Sequence, residues 1–182
     1  MKITLVTIAV AMLLMDVCAD IQPQKNFDLK RFAGKWYRVG LAYSSPSFAR
    51  YRSKLTVTMG IVEPKENGDV DMTLWDTQSS DCKSKLYTYK KTAMAGVFTY
   101  FSSRHNRVKD ITVIETNYTE YALIFKHKKF NKEYSQVSLY GRTQKLRPEL
   151  TEKFKKFAKQ HGFPEDFILT PTPADNCPLV GQ

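Results

Sequence analysis

Cysteine is nearly missing from this chain of 182 residues, which holds only Cys18, Cys82 and Cys177. That count excludes a four-cysteine zinc site, an iron–sulfur cluster and a dense disulfide scaffold. Histidine is as scarce: His105, His127 and His161 stand 22 and 34 residues apart, a spacing that matches no familiar metal motif and reads as surface positions. No G-x-S-x-G element, phosphate-binding glycine loop or strand with paired carboxylates occurs. There is no internal repeat or low-complexity tract, and no long apolar run lies beyond the N-terminus.

What the sequence does have begins at that terminus. Lys2, the apolar stretch Ile3 to Met15 and the small-residue pattern Val17-Cys18-Ala19 have the layout of a secretory signal peptide, cleaved after Ala19. The run is well short of the roughly 20 residues a spanning helix needs, so no membrane span is expected. Residues 20–182 then form one domain. Cleavage removes Cys18 and leaves Cys82 and Cys177 in an oxidising compartment, where a disulfide between them is the economical pairing. The loop it closes, about 95 residues, corresponds to on the order of 4 kcal/mol in the chain-entropy treatment.

The net charge is +10 and survives cleavage, because Lys2 and Asp16 leave together. Its lysines are spread along the chain, and secretion argues against nucleic acid; a basic soluble surface or an acidic ligand fits better.

From residue 35 onward, apolar or aromatic residues recur at every second place in eight segments: 35–44, 54–63, 69–76, 85–91, 96–102, 110–116, 120–126 and 133–142. Short turns, several of them holding Gly, Asn or Pro, separate them. Eight consecutive alternating strands predict an all-β fold, an eight-stranded antiparallel up-and-down β-barrel. After Arg142 the period changes. Leu150, Phe154, Phe157 and Ala158 fall at helical spacing, and Pro148 and Gly162 bracket a C-terminal α-helix at 148–161 that packs on the outside of the barrel. A brief strand-like run, 167–170, precedes a Pro-rich tail.

Three motifs in order carry a family resemblance. Gly34-Lys35-Trp36-Tyr37 matches a G-x-W at the start of the first strand, Thr116-Asn117-Tyr118 matches a T-D-Y turn between the sixth and seventh, and Leu139-Tyr140-Gly141-Arg142 matches an arginine ending the eighth. On these residues the chain resembles the lipocalin family over about residues 25 to 178. The resemblance implies that Trp36 seals the closed end with Arg142 stacked over it as a cation–π lid, while Gly34 lets the chain pass close by.

It also implies a ligand cup at the other end. Prostaglandin isomerases of the family use a cysteine on the second strand; the matching position is Thr58, and no cysteine lies between Cys18 and Cys82. The chain is therefore expected to be no enzyme and to need no cofactor. Siderophore-binding members use three cations, at positions matching Tyr87, Lys128 and Gln136, of which one is kept. Counting by twos nevertheless places Lys85, Tyr87 and Tyr89 on one face, Lys126 and Lys128 on another, and Tyr134, Gln136 and Tyr140 on a third, with Lys109 at the rim. These are the expected ligand-binding residues. They suit a small hydrophobic or amphipathic anion, such as a fatty acid, a lysophospholipid or a retinoid acid, carried by a secreted monomer. Siderophore sequestration and a cell-surface receptor are the further partners this admits. The loop 43–52, with Phe48 and Tyr51, is expected to hang over the mouth. Asn117-Tyr118-Thr119 fits the N-glycosylation pattern and overlaps the turn motif, so a glycan at Asn117 competes with a structural role.

Overall fold

The structure, a computed structural model, describes residues 21–45, 52, 55–75, 82–103, 106–128 and 134–173. The expected signal peptide, Cys177, His105, Phe48 and Tyr51 lie outside the described residues.

The eight alternating segments form strands β1 (Gly34–Tyr43), β2 (Thr58–Pro64), β3 (Val70–Trp75), β4 (Ser84–Lys91), β5 (Val97–Ser102), β6 (Arg107–Thr116), β7 (Tyr121–Lys128) and β8 (Tyr134–Gly141). Each pairs antiparallel with the next, and β1 pairs with both β8 and β2. The sheet therefore closes on itself, which removes its free edges. Period two sorts each strand into an inner and an outer set: on β7, Ala122 and Ile124 join the interior cluster, while Leu123 joins the cluster on the outer wall.

That outer wall is covered by α2 (Pro148–Gln160), which begins on Pro148 and ends one residue before the expected bound, with His161 as its cap. Leu150, Phe154 and Ala158 are buried against Tyr37, Leu123, Val137 and Leu139. Contact is close because β1 carries Gly40, at a register shift against β8. A Cβ there would stand 2.9 Å from both Leu139 Cβ and Phe154 Cε1. Lys153 of α2 is held by Glu115 of β6, and its Nζ also donates to the Tyr121 hydroxyl at 3.1 Å.

Two short elements complete the fold. The first, α1 (Leu29–Phe32), was not foreseen; Asp28 caps it by accepting from the Arg31 backbone N–H at 3.1 Å. The second, β9 (Ile168–Leu169), follows a 3₁₀ turn and pairs with Leu41 and Ala42, on the upper part of β1 beyond its ladder with β2. Among the described residues no helix is long and apolar enough to cross a membrane.

The closed end is built from the three motifs. Trp36 is 1% exposed, stacks on Phe32 with centroids 5.0 Å apart, and donates its indole N–H to the Phe32 carbonyl at 2.8 Å. The Arg142 guanidinium lies over its other side and donates to the carbonyls of Tyr118, Lys35 and Arg31. Gly34 has φ +95°, a conformation that favours glycine, and the site of its missing Cβ lies 3.4 Å from Arg142 Nη1. Its role is thus to turn the chain from α1 into β1 and to leave room for the arginine.

Candidate functional site

The barrel interior divides by depth. Its floor is apolar: Trp36, Val62, Met72, Phe98, Ile111 and Ile124 bound a cavity that opens to solvent. Tyr89, Lys126 and Tyr140 also line it and supply its polar groups. Lys126 Nζ lies 5.9 Å from the centre of the Tyr89 ring. Burial works against its charge, but Tyr140 and Tyr89 outweigh this and hold its pKa above the ordinary lysine value. Burial likewise pushes the Tyr89 hydroxyl up.

The other expected ligand residues are spread over the wall above. Tyr100 of β5 meets Tyr87 and Tyr89 edge-on at 5.4 and 5.9 Å. It occupies the region where β4 and β5 part, since those strands pair only at Lys90–Thr99 and Lys91–Phe98. The Tyr134 hydroxyl donates to Gln136 at 3.1 Å, and Gln136 in turn donates to the Ser138 hydroxyl at 2.8 Å. Burial drives the Tyr134 hydroxyl up to about 12, against the pull of Arg38 and Lys126. Lys128 stands opposite Tyr134 on one side and Lys109 on the other. Lys109 titrates below the ordinary lysine value through burial and the neighbouring charges of Lys126 and Lys128. Lys85 is exposed near the start of β4, beside Leu74, and does not reach the cavity.

Two contributors were not among the expected ligand residues: Tyr100 and Arg38. The signal for Arg38 was present, because it stands two residues after Trp36 and so on the same face of β1. Its register partners are Tyr140 on β8 and Thr58 on β2. Its Nε is buried and has no hydrogen-bond partner. Arg38, Lys109, Lys126 and Lys128 make no ion pair among the described residues.

The two described histidines, His127 and His161, are partly exposed. His127 stacks on Phe125 and shares a hydrogen bond with Ser135, and His161 stacks on Phe157 at 3.9 Å beyond the end of α2. Among the described residues no group of three or more His, Cys, Asp or Glu side chains could hold a metal ion. Cys82 takes part in a disulfide.

A closed eight-stranded barrel, an external helix, a tryptophan floor and an interior cavity together define a lipocalin-type binding fold. Residues 33–175 match the Lipocalin / cytosolic fatty-acid binding protein family, and the chain belongs to it. It is 36% identical over 169 residues to a lipocalin of Rhinella marina, covering 92% of each chain. To the prostaglandin-H2 D-isomerase of Equus caballus it is 32% identical over 166 residues, covering 87% of this chain and 86% of that one. The siderocalin Ex-FABP, a solved structure described as functioning through dual ligand specificities, superposes with a TM-score of 0.67 at 25% identity, covering 81% and 97%. Lipocalins bind small hydrophobic ligands, and the cavity above Trp36 is the place for one. The expectation of no enzyme is overturned by the isomerase relative, an enzyme matched over most of both chains.

Proposed function

We propose that the chain is a secreted, monomeric carrier that encloses a small hydrophobic, acidic ligand in the barrel. The observation that supports this is the cavity itself: an apolar floor with Lys126 in its lining and with Arg38, Lys109 and Lys128 on the neighbouring strand positions, none of them with a carboxylate partner among the described residues. A partly buried cluster of like charges, with the Arg38 Nε out of water and unpartnered, is costly, so an anionic head group entering the cup relieves that cost. Burial of the ligand's apolar body adds about 25 cal/mol per Å² removed from water. The N-terminal pattern and the disulfide at Cys82 support secretion, and Cys177 is the partner we propose for it.

Binding is tested by displacing a fluorescent fatty acid from the purified protein with oleate and retinoic acid. The expected result is stoichiometric displacement at micromolar concentration; no displacement, with tight uptake of a ferric catecholate instead, overturns the lipid reading in favour of siderophore capture. The isomerase relative favours a second reading, conversion of prostaglandin H2 in the same cavity. Such turnover would use no interior thiol, since Thr58 stands opposite Arg38 and no cysteine lies between Cys18 and Cys82. It should survive thiol alkylation, which an assay of prostaglandin D2 formation checks directly.

A further inference from the structure

We infer that Arg38 anchors the terminal oxyanion of a single-chain amphiphile, halfway up the barrel, with the ligand's tail pointing down to Trp36. This rests on the cavity-binding reading above and adds to it a specificity-determining residue and an orientation.

The geometry starts from β1. Trp36 and Arg38 are successive inward positions, so the guanidinium springs from about 7 Å above the indole, one full pleat of the strand. Its neighbours across the ladders are Tyr140 and Thr58, neither of them acidic. Nε is out of contact with water yet donates to nothing, whereas buried charged donors are ordinarily satisfied. Lys126, at the edge of the apolar cavity, is near enough that Arg38 opposes its charge.

Depth decides the orientation. Below this level the lining is mostly apolar, Val62, Met72, Phe98 and Ile111 over Trp36, and its Tyr89 hydroxyl is already engaged by Lys126. Lys109 and Lys128 lie nearer the strand ends, and neither has a buried nitrogen without a partner, as Arg38 has in its Nε. The planar fork of an arginine pairs with two oxygens of one head group at once, which a lysine does not do. An acid that enters tail first meets apolar floor with its chain and the Arg38 fork with its oxygens.

The test uses the mature full chain carrying Trp75→Phe, so that Trp36 is the single tryptophan. It is titrated with dodecanoate, dodecyl phosphate and dodecanol, with inorganic phosphate as the headgroup-only arm. Wild-type Arg38 should bind an acid about tenfold more tightly than the alcohol, and Arg38→Gln should remove that advantage while leaving the alcohol within about twofold. The acid that loses more identifies the head group, and alcohol binding shows that the variant is folded. Dodecanoate brominated at its ω carbon should quench Trp36 far more than dodecanoate brominated beside the carboxylate. Alcohol-competent protein indifferent to Arg38→Gln overturns the anchor alone, as does the reverse order of quenching or binding of inorganic phosphate as tight as that of the alkyl acids. Failure of every alkyl probe to bind wild-type protein overturns the cavity reading and the anchor with it.

Discussion

The Arg142 guanidinium lies 3.8 Å from the centre of the Trp36 ring, and the same side chain ties three segments together at the closed end. Arg142→Met should keep the packing volume but lose the charge and leave the carbonyls of Tyr118, Lys35 and Arg31 without this donor. A loss of about 2–4 kcal/mol in urea unfolding is expected. Arg142→Lys should restore only part of it, because an ammonium cannot reach three carbonyls in one plane.

Gly40 controls how closely α2 approaches the barrel. Gly40→Ala should push Phe154 and Leu139 apart and cost about 1–3 kcal/mol, read as a lowered Tm. Adding Phe154→Leu, which makes room at the same contact, should recover part of the loss and leave a measurable coupling between the two sites.

Asn117 holds its turn with Oδ1, which accepts from the backbone N–H of Glu120 at 2.9 Å and of Tyr121 at 3.0 Å. Asn117→Asp should therefore be nearly neutral and Asn117→Ala should cost about 1–2 kcal/mol in chemical denaturation. The side chain is exposed, and a glycan on Nδ2 would leave Oδ1 bonded. Nδ2 itself donates to Glu120 Oε2 at 3.3 Å, the one bond of the turn that a glycan there would disturb. Protein from a secreting eukaryotic cell should lose mass on treatment with an amidase that removes N-linked glycans.

Asp69 is 5% exposed and receives hydrogen bonds from Lys90 Nζ, the Lys91 backbone and Asn67, which lower its pKa from 3.8 to about 2. Because the folded value lies below the unfolded one, its contribution is fully present above about pH 4 and is lost as pH falls toward 2. Asp69→Asn should flatten the fall of the urea midpoint over that window.

Cys82 should be recovered joined to Cys177 in a non-reducing peptide map, with no thiol titrating in the mature folded protein. Reduction should lower stability by up to about 4 kcal/mol if closure of the long loop dominates. A free thiol on native protein would refute the pairing.

The strands were legible because a half-buried strand must alternate, and most of the turns between them carry Gly, Asn or Pro. The external helix was legible for the same reason at its own period, and Pro148 fixed its first residue. By contrast, α1 is a single turn, too short for a periodic signal, and shows only Asp28 as a cap.

Sequence by itself determined the closed barrel, its outer helix and the residues of its sealed end, because periodicity, turn chemistry and three local motifs are all short-range properties. Only the tertiary structure decided which of the polar residues share the cavity. Alternation assigns a side chain to a face but not to a depth, so Lys85 and Lys126 looked equivalent until strand register left one exposed and the other against Tyr89 and Tyr140. Depth also made Arg38 matter. Two places from the tryptophan that identifies the fold, it is an ordinary basic residue in one dimension, and in three its Nε is a buried donor without an acceptor.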